Sequence, residues 1–279
     1  MLYPDFDDLV ALGDQKLLLK HPSSRSVNSV ISGNYCSSFR GQGLEFDSVR
    51  EYVPGDDIRN IDWRVTARTG SPHLKLFKEE KERHILLCVD MNATMRFGTR
   101  NTFKSVQAAR AAALLGWSGI AQQDRVSACF YGDVLGGIQF LPPKLTRKSF
   151  CSLLKILAEP PSEKHRISLK EAALRVSQSA HTGSLVYFIS DFMDIPKNFS
   201  QESNLSWLSK KCNVVFVAIN DPADQKIEPM GSIGFRGSEL EKIYINTESL
   251  LGRRSYAALW EERQKLLQEI AISFKIPIV

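Results

Sequence analysis

The sequence contains no long uncharged apolar run. No segment approaches the roughly 20 continuous apolar residues that a membrane-spanning helix needs. The stretch before Arg25 also has no apolar run of signal-peptide length. We therefore expect no membrane insertion and a cytoplasmic location.

Cysteine is scarce as well, and its spacing excludes two kinds of site. The five cysteines are widely separated, and none has the C-x-x-C spacing of zinc or redox sites. An odd, scattered set of thiols is typical of a protein in a reducing compartment.

Common catalytic and nucleotide-binding motifs are also missing. Gly41-x-Gly43 lacks the third glycine of a dinucleotide-binding loop, and no G-x-x-x-x-G-K-[ST] loop is present. Neither H-E-x-x-H nor G-x-S-x-G occurs, and the five histidines do not have the spacing of metal ligands. We therefore expect a chain that is not an ATPase, and a non-enzymatic role is favoured over the alternative of a metal-dependent hydrolase.

What the sequence does contain is enough apolar material for a full core, with 43% hydrophobic residues among 279. The net charge is +5, but basic and acidic residues are interleaved, so no nucleic-acid binding is expected. One stretch, from Lys144 to Arg175, is locally basic. It is either a solvated helix surface or, as a weaker alternative, a nucleic-acid-binding patch.

The pattern along the chain changes near residue 83. Residues 41–80 are dense in Gly, Pro, Asp and Arg with short apolar alternations, which predicts a small β-rich unit within residues 1–83. Residues 84–279 alternate between strand and helix patterns, which predicts an α/β domain with a doubly wound, mainly parallel sheet. The predicted strands cover residues 85–89, 125–131, 136–141, 185–189, 214–219 and 242–245, and the predicted helices cover residues 102–122, 146–157, 169–179, 205–211 and 255–273. Thr146 and Ser168 are placed to cap two of these helices.

Two predicted strands end in acidic loops. Asp90-Met91-Asn92-Ala93-Thr94 follows the first, and Ser190-Asp191-Phe192-Met193-Asp194 follows a later one. Ligands of open α/β sheets bind beyond the carboxyl ends of the strands, and oxygens at alternate loop positions suit a small hard cation. Alternatively, Asp90 caps the following turn while Asn92 and Thr94 satisfy backbone groups of the loop.

The first loop resembles the metal-ion-dependent adhesion site of von Willebrand factor A domains, D-x-S-x-S, and Ser190-Asp191 resembles the later S-D element of that site. The resemblance implies a bound Mg²⁺ whose shell is completed by a partner's carboxylate. The implied metal ligands are Asp90, Asn92, Thr94, Asp191 and, in place of a separate threonine, Ser168. Asp194 and Arg96 lie beside this set in sequence and are expected to contact the partner.

A longer signature lies upstream. Residues 40–46 (RGQGLEF) and 50–59 (REYVPGDDIR) are followed by Ile61-Asp62-Trp63 and by residues 66–70 (TARTG). This series resembles the bacterial "domain of unknown function 58" family. The resemblance implies a von Willebrand factor A-like domain and a partnership with a MoxR-type AAA+ ATPase or its protein client, in chaperone-like assembly or maturation.

The same signature has a physical interpretation. Pro54-Gly55 fits the centre of a type II turn, which presents Asp56 and Asp57 to four nearby arginines and predicts an ion-pair network. Trp63 and Tyr52 are expected to be buried between the small unit and the sheet, or else to be exposed contact residues.

These observations favour a non-enzymatic adaptor that binds its partner through the loop beginning at Asp90. The alternative is a metal-dependent hydrolase that uses Asp90, Asp191 and Asp194 to activate water. Against the hydrolase, no histidine or lysine lies nearby in sequence to act as acid or base.

Overall fold

The computed structural model describes residues 3–14, 44–79, 83–161, 164–195, 203–236 and 242–279. Contacts between residues divide the chain into a small unit, Ser26–Glu82, and an α/β unit, which joins Met1–Arg25 to Arg83–Val279. In sequence, the second boundary between the units falls between Glu82 and Arg83. The first helix, α1 (Phe6–Ala11), belongs to the α/β unit and not to the small unit that precedes residue 83 in sequence.

The small unit contains a helix that the sequence did not predict. Strand β1 (Leu44–Glu51) precedes helix α2 (Trp63–Thr69), and strand β2 (His73–Glu79) then pairs antiparallel with β1. The carboxylate of Asp62 accepts hydrogen bonds from the first N–H groups of α2, which explains why the helix begins there. The expected β-rich unit is therefore of mixed structure.

The predicted type II turn of the small unit is confirmed. The N–H of Asp56 donates to the carbonyl of Val53 at 3.1 Å, so the two residues close a four-residue turn. Gly55 has a φ of +110°, a conformation that the second central position of this turn requires and that glycine adopts readily.

The α/β unit is built on a mainly parallel sheet. Within the described residues its strands are β3 (His84–Met91), β4 (Arg125–Gly132), β5 (Ile138–Lys144), β6 (Leu185–Ser190) and β7 (Asn213–Ala218), in the order β5-β4-β3-β6-β7. Only the edge strand β5 is antiparallel to its neighbour. Residues 85–90 of β3 are all buried, as the continuous apolar run in the sequence predicts for a central strand.

Helices cover both faces of this sheet. They are α3 (Lys104–Ala121), α4 (Arg147–Ala158), α5 (Leu169–Ser179), α6 (Ser203–Lys211), α7 (Pro222–Gln225) and α8 (Leu250–Phe274). One core contains α1, α3 and α4 with the odd-numbered residues of β3, and the other contains α5, α6 and α8 with the even-numbered ones. A separate two-stranded sheet pairs β8 (Ser232–Arg236) with β9 (Lys242–Asn246). The predicted caps at Thr146 and Ser168 are confirmed.

Strand β5 departs from its predicted end. The prediction stopped this strand before Pro142 and Pro143, whereas the strand continues through both prolines to Lys144. Proline cannot donate to a neighbouring strand, but β5 lies at the edge of the sheet and pairs with β4 alone. The edge position therefore tolerates residues that would end a central strand.

Across the described ranges, no helix has both the length and the apolar composition needed to cross a membrane.

Candidate functional site

The candidate site lies where the direction of the sheet topology reverses. From β3 the chain adds β4 and β5 on one side, and it then returns to add β6 and β7 on the other. The loops that follow β3 and β6 consequently diverge, and the carboxyl ends of these adjacent strands form the crevice where open α/β sheets bind ligands. Asp90 is the last residue but one of β3 in this crevice, and Ser190 ends β6 beside it.

The carboxylate of Asp90 is buried and fully engaged. Its Oδ1 accepts hydrogen bonds from the backbone N and the side-chain Nδ2 of Asn92, at 2.9 and 2.8 Å. Its Oδ2 accepts from the Oγ of Ser190 at 2.6 Å. Asp90 thus accepts from the N–H of Asn92 in the loop after β3, while the 3-10 turn that follows begins at Asn92 without a side-chain cap.

Asn92 joins this loop to the segment that leads into α5. Its Nδ2 also donates to the carbonyl of Ile167 at 2.9 Å, and its Oδ1 accepts from the N–H of Ile167 at 3.2 Å. The carboxamide oxygen thus faces Ile167, while Asp90 meets the amide nitrogen. Asn92 satisfies backbone groups, as the alternative prediction states, and it does not present oxygen as a metal ligand beside Asp90.

Ser168 and Asp194 meet at the N-terminus of α5. The Oγ of Ser168 accepts from the N of Glu171 at 3.3 Å and donates to its carboxylate at 2.8 Å, forming a capping box. Asp194 Oδ2 accepts from the N of Leu169 at 3.2 Å, and burial raises the pKa of this carboxyl. Thr94 is exposed on a short 3-10 turn. The expected metal ligands thus serve separate local roles.

Asp191 pairs with a lysine that sequence reasoning missed. The Nζ of Lys104 lies 2.8 Å from Asp191 Oδ2 and 3.1 Å from Asp224 Oδ2, and all three residues are at most 5% exposed. Lys104 begins α3, which follows β3 across the crevice. No lysine lies near these acids in sequence, but the fold brings together groups 87 and 120 residues apart.

Two features explain the position of Lys104. A cation at the N-terminus of a helix is unfavourable beside the helix dipole, so its presence there requires carboxylates nearby. Asp224 is itself fixed by the N–H of Asp221 at 2.9 Å, and Asp221 accepts from the N and Oγ1 of Thr99 at 2.9 and 2.5 Å. Burial alone would raise the pKa of Asp221, but these hydrogen bonds outweigh it and the pKa is lowered.

The electrostatics of Asp90 differ from those of Asp191. Burial, and then the nearby charge of Asp191, raise the pKa of Asp90 to about 7, although the hydrogen bond from Ser190 opposes the rise. Without a cation of its own, the Asp90 carboxyl is therefore partly protonated near neutral pH.

Arg96 is also used internally. Its guanidinium forms an ion pair with Asp133 and lies 3.4 Å from the carbonyl of Met91. Asp133 accepts in addition from the N–H of His165 at 2.8 Å. Arg96 and Asp133 thus fix the loops after β3 and β4. The guanidinium of Arg96, which was predicted to contact the partner, is bonded to groups within the chain.

The residues present do not fit Mg²⁺. That ion requires about six oxygens in near-octahedral geometry, whereas the oxygens of Asp90 face N–H and O–H donors and Asp191 faces an ammonium. Among the described residues, no group of three or more His, Cys, Asp or Glu side chains could hold a metal ion. The three carboxylates of the hydrolase alternative lie near enough for Asp191 and Asp194 to raise the pKa of Asp90, but each is bonded to a different partner: Asp90 to Ser190, Asp191 to Lys104 and Asp194 to the N–H of Leu169.

The basic stretch from Lys144 to Arg175 does not form one surface in the α/β unit. Helix α4 packs on the face that carries α3, whereas α5 packs on the opposite face of the sheet. The basic side chains of the two helices are therefore separated by the sheet.

Comparisons with known proteins show several similarities. Residues 48–266 match the family described as "Protein of unknown function DUF58". Uncharacterized proteins of Mycobacterium bovis and Mycobacterium tuberculosis are 27% identical over 244 residues, which is 86% of this chain and 74% of each relative. Among solved structures, BatB from Bacteroides thetaiotaomicron matches at 15% identity with a TM-score of 0.42, covering 69% of this chain and 99% of that one. An aerotolerance-related membrane protein from Bacteroides fragilis, at 15% identity, has a TM-score of 0.40 over 67% and 98%.

Proposed function

Because the chain belongs to the DUF58 family of proteins of unknown function, we propose that it is a non-enzymatic module that binds a protein partner. The partner is a MoxR-type AAA+ ATPase or the protein client of that ATPase, and the work is chaperone-like assembly or maturation. The assignment of the α/β unit to von Willebrand factor A-like domains is part of this proposal. It is supported by the acidic loops at the ends of β3 and β6.

One observation carries the proposal: buried polar groups tie together the segments at the carboxyl edge of the sheet. Asp90 joins the ends of β3 and β6, Asn92 joins the loop after β3 to Ile167, and Lys104 joins the loop after β6 to α7. A polar network whose members are satisfied makes the surrounding loops rigid. A rigid set of loops is suited to presenting a binding surface.

The same observation argues against catalysis. A general acid or base must reach the proton that it transfers. Asp90, Lys104 and Asp191 are instead buried, Asp90 being bonded to Ser190 and Lys104 to Asp191. The exposed residues of this edge include Ala93, Thr94 and Arg100, which lie outside the network. We assign partner contact to these exposed residues. No divalent ion takes part, because the ammonium of Lys104 already neutralises the carboxylates of Asp191 and Asp224. The proposal places the chain in the cytoplasm, where an ATPase partner has ATP.

A pull-down with the purified MoxR-type ATPase of the same genome, in nucleotide-free buffer with either Mg²⁺ or EDTA, tests the proposal. The chain is expected to bind equally in both buffers. Arg100→Glu is expected to weaken binding about tenfold, the usual effect of removing one strongly contributing side chain from an interface. Arg254→Glu, which makes the same charge change at an exposed site on α8, is expected to leave binding unchanged.

Asp90→Ala extends the test to the network beneath the surface. This variant frees Ser190 and Asn92 from their shared acceptor, so the loops lose their alignment and binding weakens in both buffers. Loss of wild-type binding in EDTA would contradict the metal-free version of the proposal. Equal binding by Arg100→Glu and Arg254→Glu would contradict the assigned surface.

A further inference from the structure

The small unit presents a surface that the proposed function does not use. Helix α2 faces β2 on one side, where the Oγ1 of Thr66 accepts from the N–H of His73 at 3.0 Å. The opposite side of α2 is exposed and carries Trp63, Arg64 and Arg68. Trp63 is 69% exposed, which agrees with the second of the two expectations for this residue, an exposed contact residue.

The residues just before α2 continue this surface. A 3-10 turn, Ile58–Asn60, precedes the helix, and all three of its residues are exposed. Ile61 bridges Leu74 and the N–H of Asp62 donates to His73, so the turn and α2 lie along the same strand, β2. We define the arginine face as Ile58, Arg59, Trp63, Arg64 and Arg68.

The carboxylates near the arginine face are used locally. Asp56 pairs with Arg50 at 2.7 Å, and this hydrogen bond is the main reason that the pKa of Asp56 is lowered. Asp57 accepts from the N–H of Arg59 at 3.0 Å, and Asp62 accepts from the N–H of Arg64 at 3.0 Å. Within the described residues, the Arg50–Asp56 pair is thus a member of the predicted network, and no carboxylate of that network pairs with the side chains of Arg59, Arg64 or Arg68.

The guanidinium groups of the arginine face are consequently available. Within the part of the chain that the structure describes, no carboxylate pairs with the side chains of Arg59, Arg64 or Arg68. The arginine face therefore combines three guanidinium groups with two exposed apolar side chains, Ile58 at 61% and Trp63 at 69%. Arginine and tryptophan are the residues most enriched at the energetic centres of protein interfaces.

We propose that the arginine face binds an acidic protein segment that carries an aliphatic or aromatic anchor. Guanidinium groups bind carboxylates through paired hydrogen bonds, and the anchor packs between Ile58 and Trp63. This site lies in the small unit, and it does not depend on the partner proposed for the α/β unit.

The observations favour a protein segment over a nucleic acid. Single-stranded nucleic acids stack their bases on several aromatic side chains, whereas Trp63 is the single aromatic residue of the arginine face and Ile58 offers no ring.

A random peptide library displayed on phage and panned against the full chain tests the proposal. The enriched peptides are expected to be acidic and to contain an aliphatic or aromatic residue. Recovery of these phage is expected to fall about tenfold on Arg64→Glu/Arg68→Glu and on Trp63→Ala. The double variant Arg175→Glu/Arg254→Glu changes the same charge at exposed sites of the α/β unit and is expected to leave recovery unchanged.

The side chains altered on the arginine face are exposed, so melting temperatures are expected to match the wild type and to show that each variant folds. Enrichment of neutral or basic peptides would overturn the proposal, as would equal recovery on the arginine-face and control variants. A single-stranded oligonucleotide that binds the wild type, fails to bind Arg64→Glu/Arg68→Glu and loses affinity steeply with salt would also overturn it.

Discussion

The buried ammonium of Lys104 determines the chemistry of the acidic loops around it. Moving a charge from water into the core has a large desolvation free energy, which is offset only when opposite charges and hydrogen bonds surround that charge. Lys104 meets Asp191 and Asp224 at 2.8 and 3.1 Å, so the three groups depend on one another. Asp191 is thereby committed to an internal cation instead of a divalent ion.

Lys104→Met tests this dependence at a single residue. Methionine keeps much of the side-chain volume but leaves two buried carboxylates without a counter-charge, which is expected to destabilise the chain by about 3 to 5 kcal/mol. Urea unfolding measures the difference. Lys148→Met, at an exposed position on α4, is expected to change stability by less than about 0.5 kcal/mol, and a similar result for both variants would refute the role of Lys104.

The protonation of Asp90 is expected to make the stability of the chain depend on pH. Its pKa rises from 3.8 to about 7 on folding, so between these pH values the folded chain keeps a proton that the unfolded chain has lost. The stability due to protonated Asp90 is complete below pH 3.8, falls as the pH rises to about 7, and is lost above it. Asp90→Asn has no such proton, so its stability relative to wild type is expected to increase across this window. Parallel curves of unfolding free energy against pH would show that Asp90 titrates normally.

Sequence reasoning reached part of this site. Asp90 and Ser190 were found because they end buried apolar strands, and strand ends are visible as breaks in the apolar pattern. The partners Lys104, Ile167 and Asp224 were missed because their contacts depend on how loops and helices pack. A lysine as the first residue of a helix, where the dipole disfavours it, was the one local signal.

At the scale of elements, the loop after β3 depends on a close approach to the end of β4. Gly132 ends β4 with a φ of +109°, and a Cβ there would lie 2.5 Å from the backbone N of Asn92. Such a separation is far shorter than van der Waals contact. Only glycine therefore lets the loop that carries Asn92 lie against β4.

Gly132→Ala is consequently expected to displace that loop. Gly183→Ala is a matched control, since Gly183 also has a positive φ, +86°, but a Cβ there would meet nothing within 4 Å. The control is expected to lose about 1 kcal/mol from backbone strain alone, and Gly132→Ala about 2 kcal/mol more from overpacking. Chemical denaturation distinguishes the two, and equal losses would mean that the loop adjusts without strain.

The elements themselves followed from the sequence to different degrees. Buried strands and amphipathic helices of the α/β unit were predicted within a few residues, because their apolar periods are set by burial on one or both faces. Strand β5 was cut short because its prolines are acceptable only at a sheet edge, and edge position is a tertiary fact. Helix α2 was missed because its short, exposed sequence has little apolar periodicity, although Asp62 is a recognisable cap.

In the whole molecule, the N-terminal residues belong to the α/β unit, and the small unit follows them in sequence. Leu9 of α1 is buried, its carbonyl accepts from Trp117 Nε1 at 2.9 Å, and Asp8 pairs with Arg110 of α3 at 2.9 Å. The first helix is thus part of the core that covers one face of the sheet. The small unit is inserted in sequence between this helix and β3.

This arrangement predicts an asymmetry between two deletions. A chain in which a flexible Gly/Ser linker replaces residues 26–82 keeps α1 and serves as the reference. A chain that starts at Arg83 loses the burial of Leu9 and is expected to be less stable by at least about 2 kcal/mol. Thermal and urea unfolding compare the two chains, and equal stability would show that α1 contributes nothing to the core.

We propose that the carboxyl edge of the sheet is a rigid binding surface that needs no divalent ion. Isothermal titration of the chelator-treated chain with Mg²⁺ tests this proposal, because a bound ion would need oxygens that Asp90 and Asp191 already use. The predicted result is no binding heat for the wild type. Stoichiometric Mg²⁺ binding that disappears in Asp90→Asn would contradict the claim.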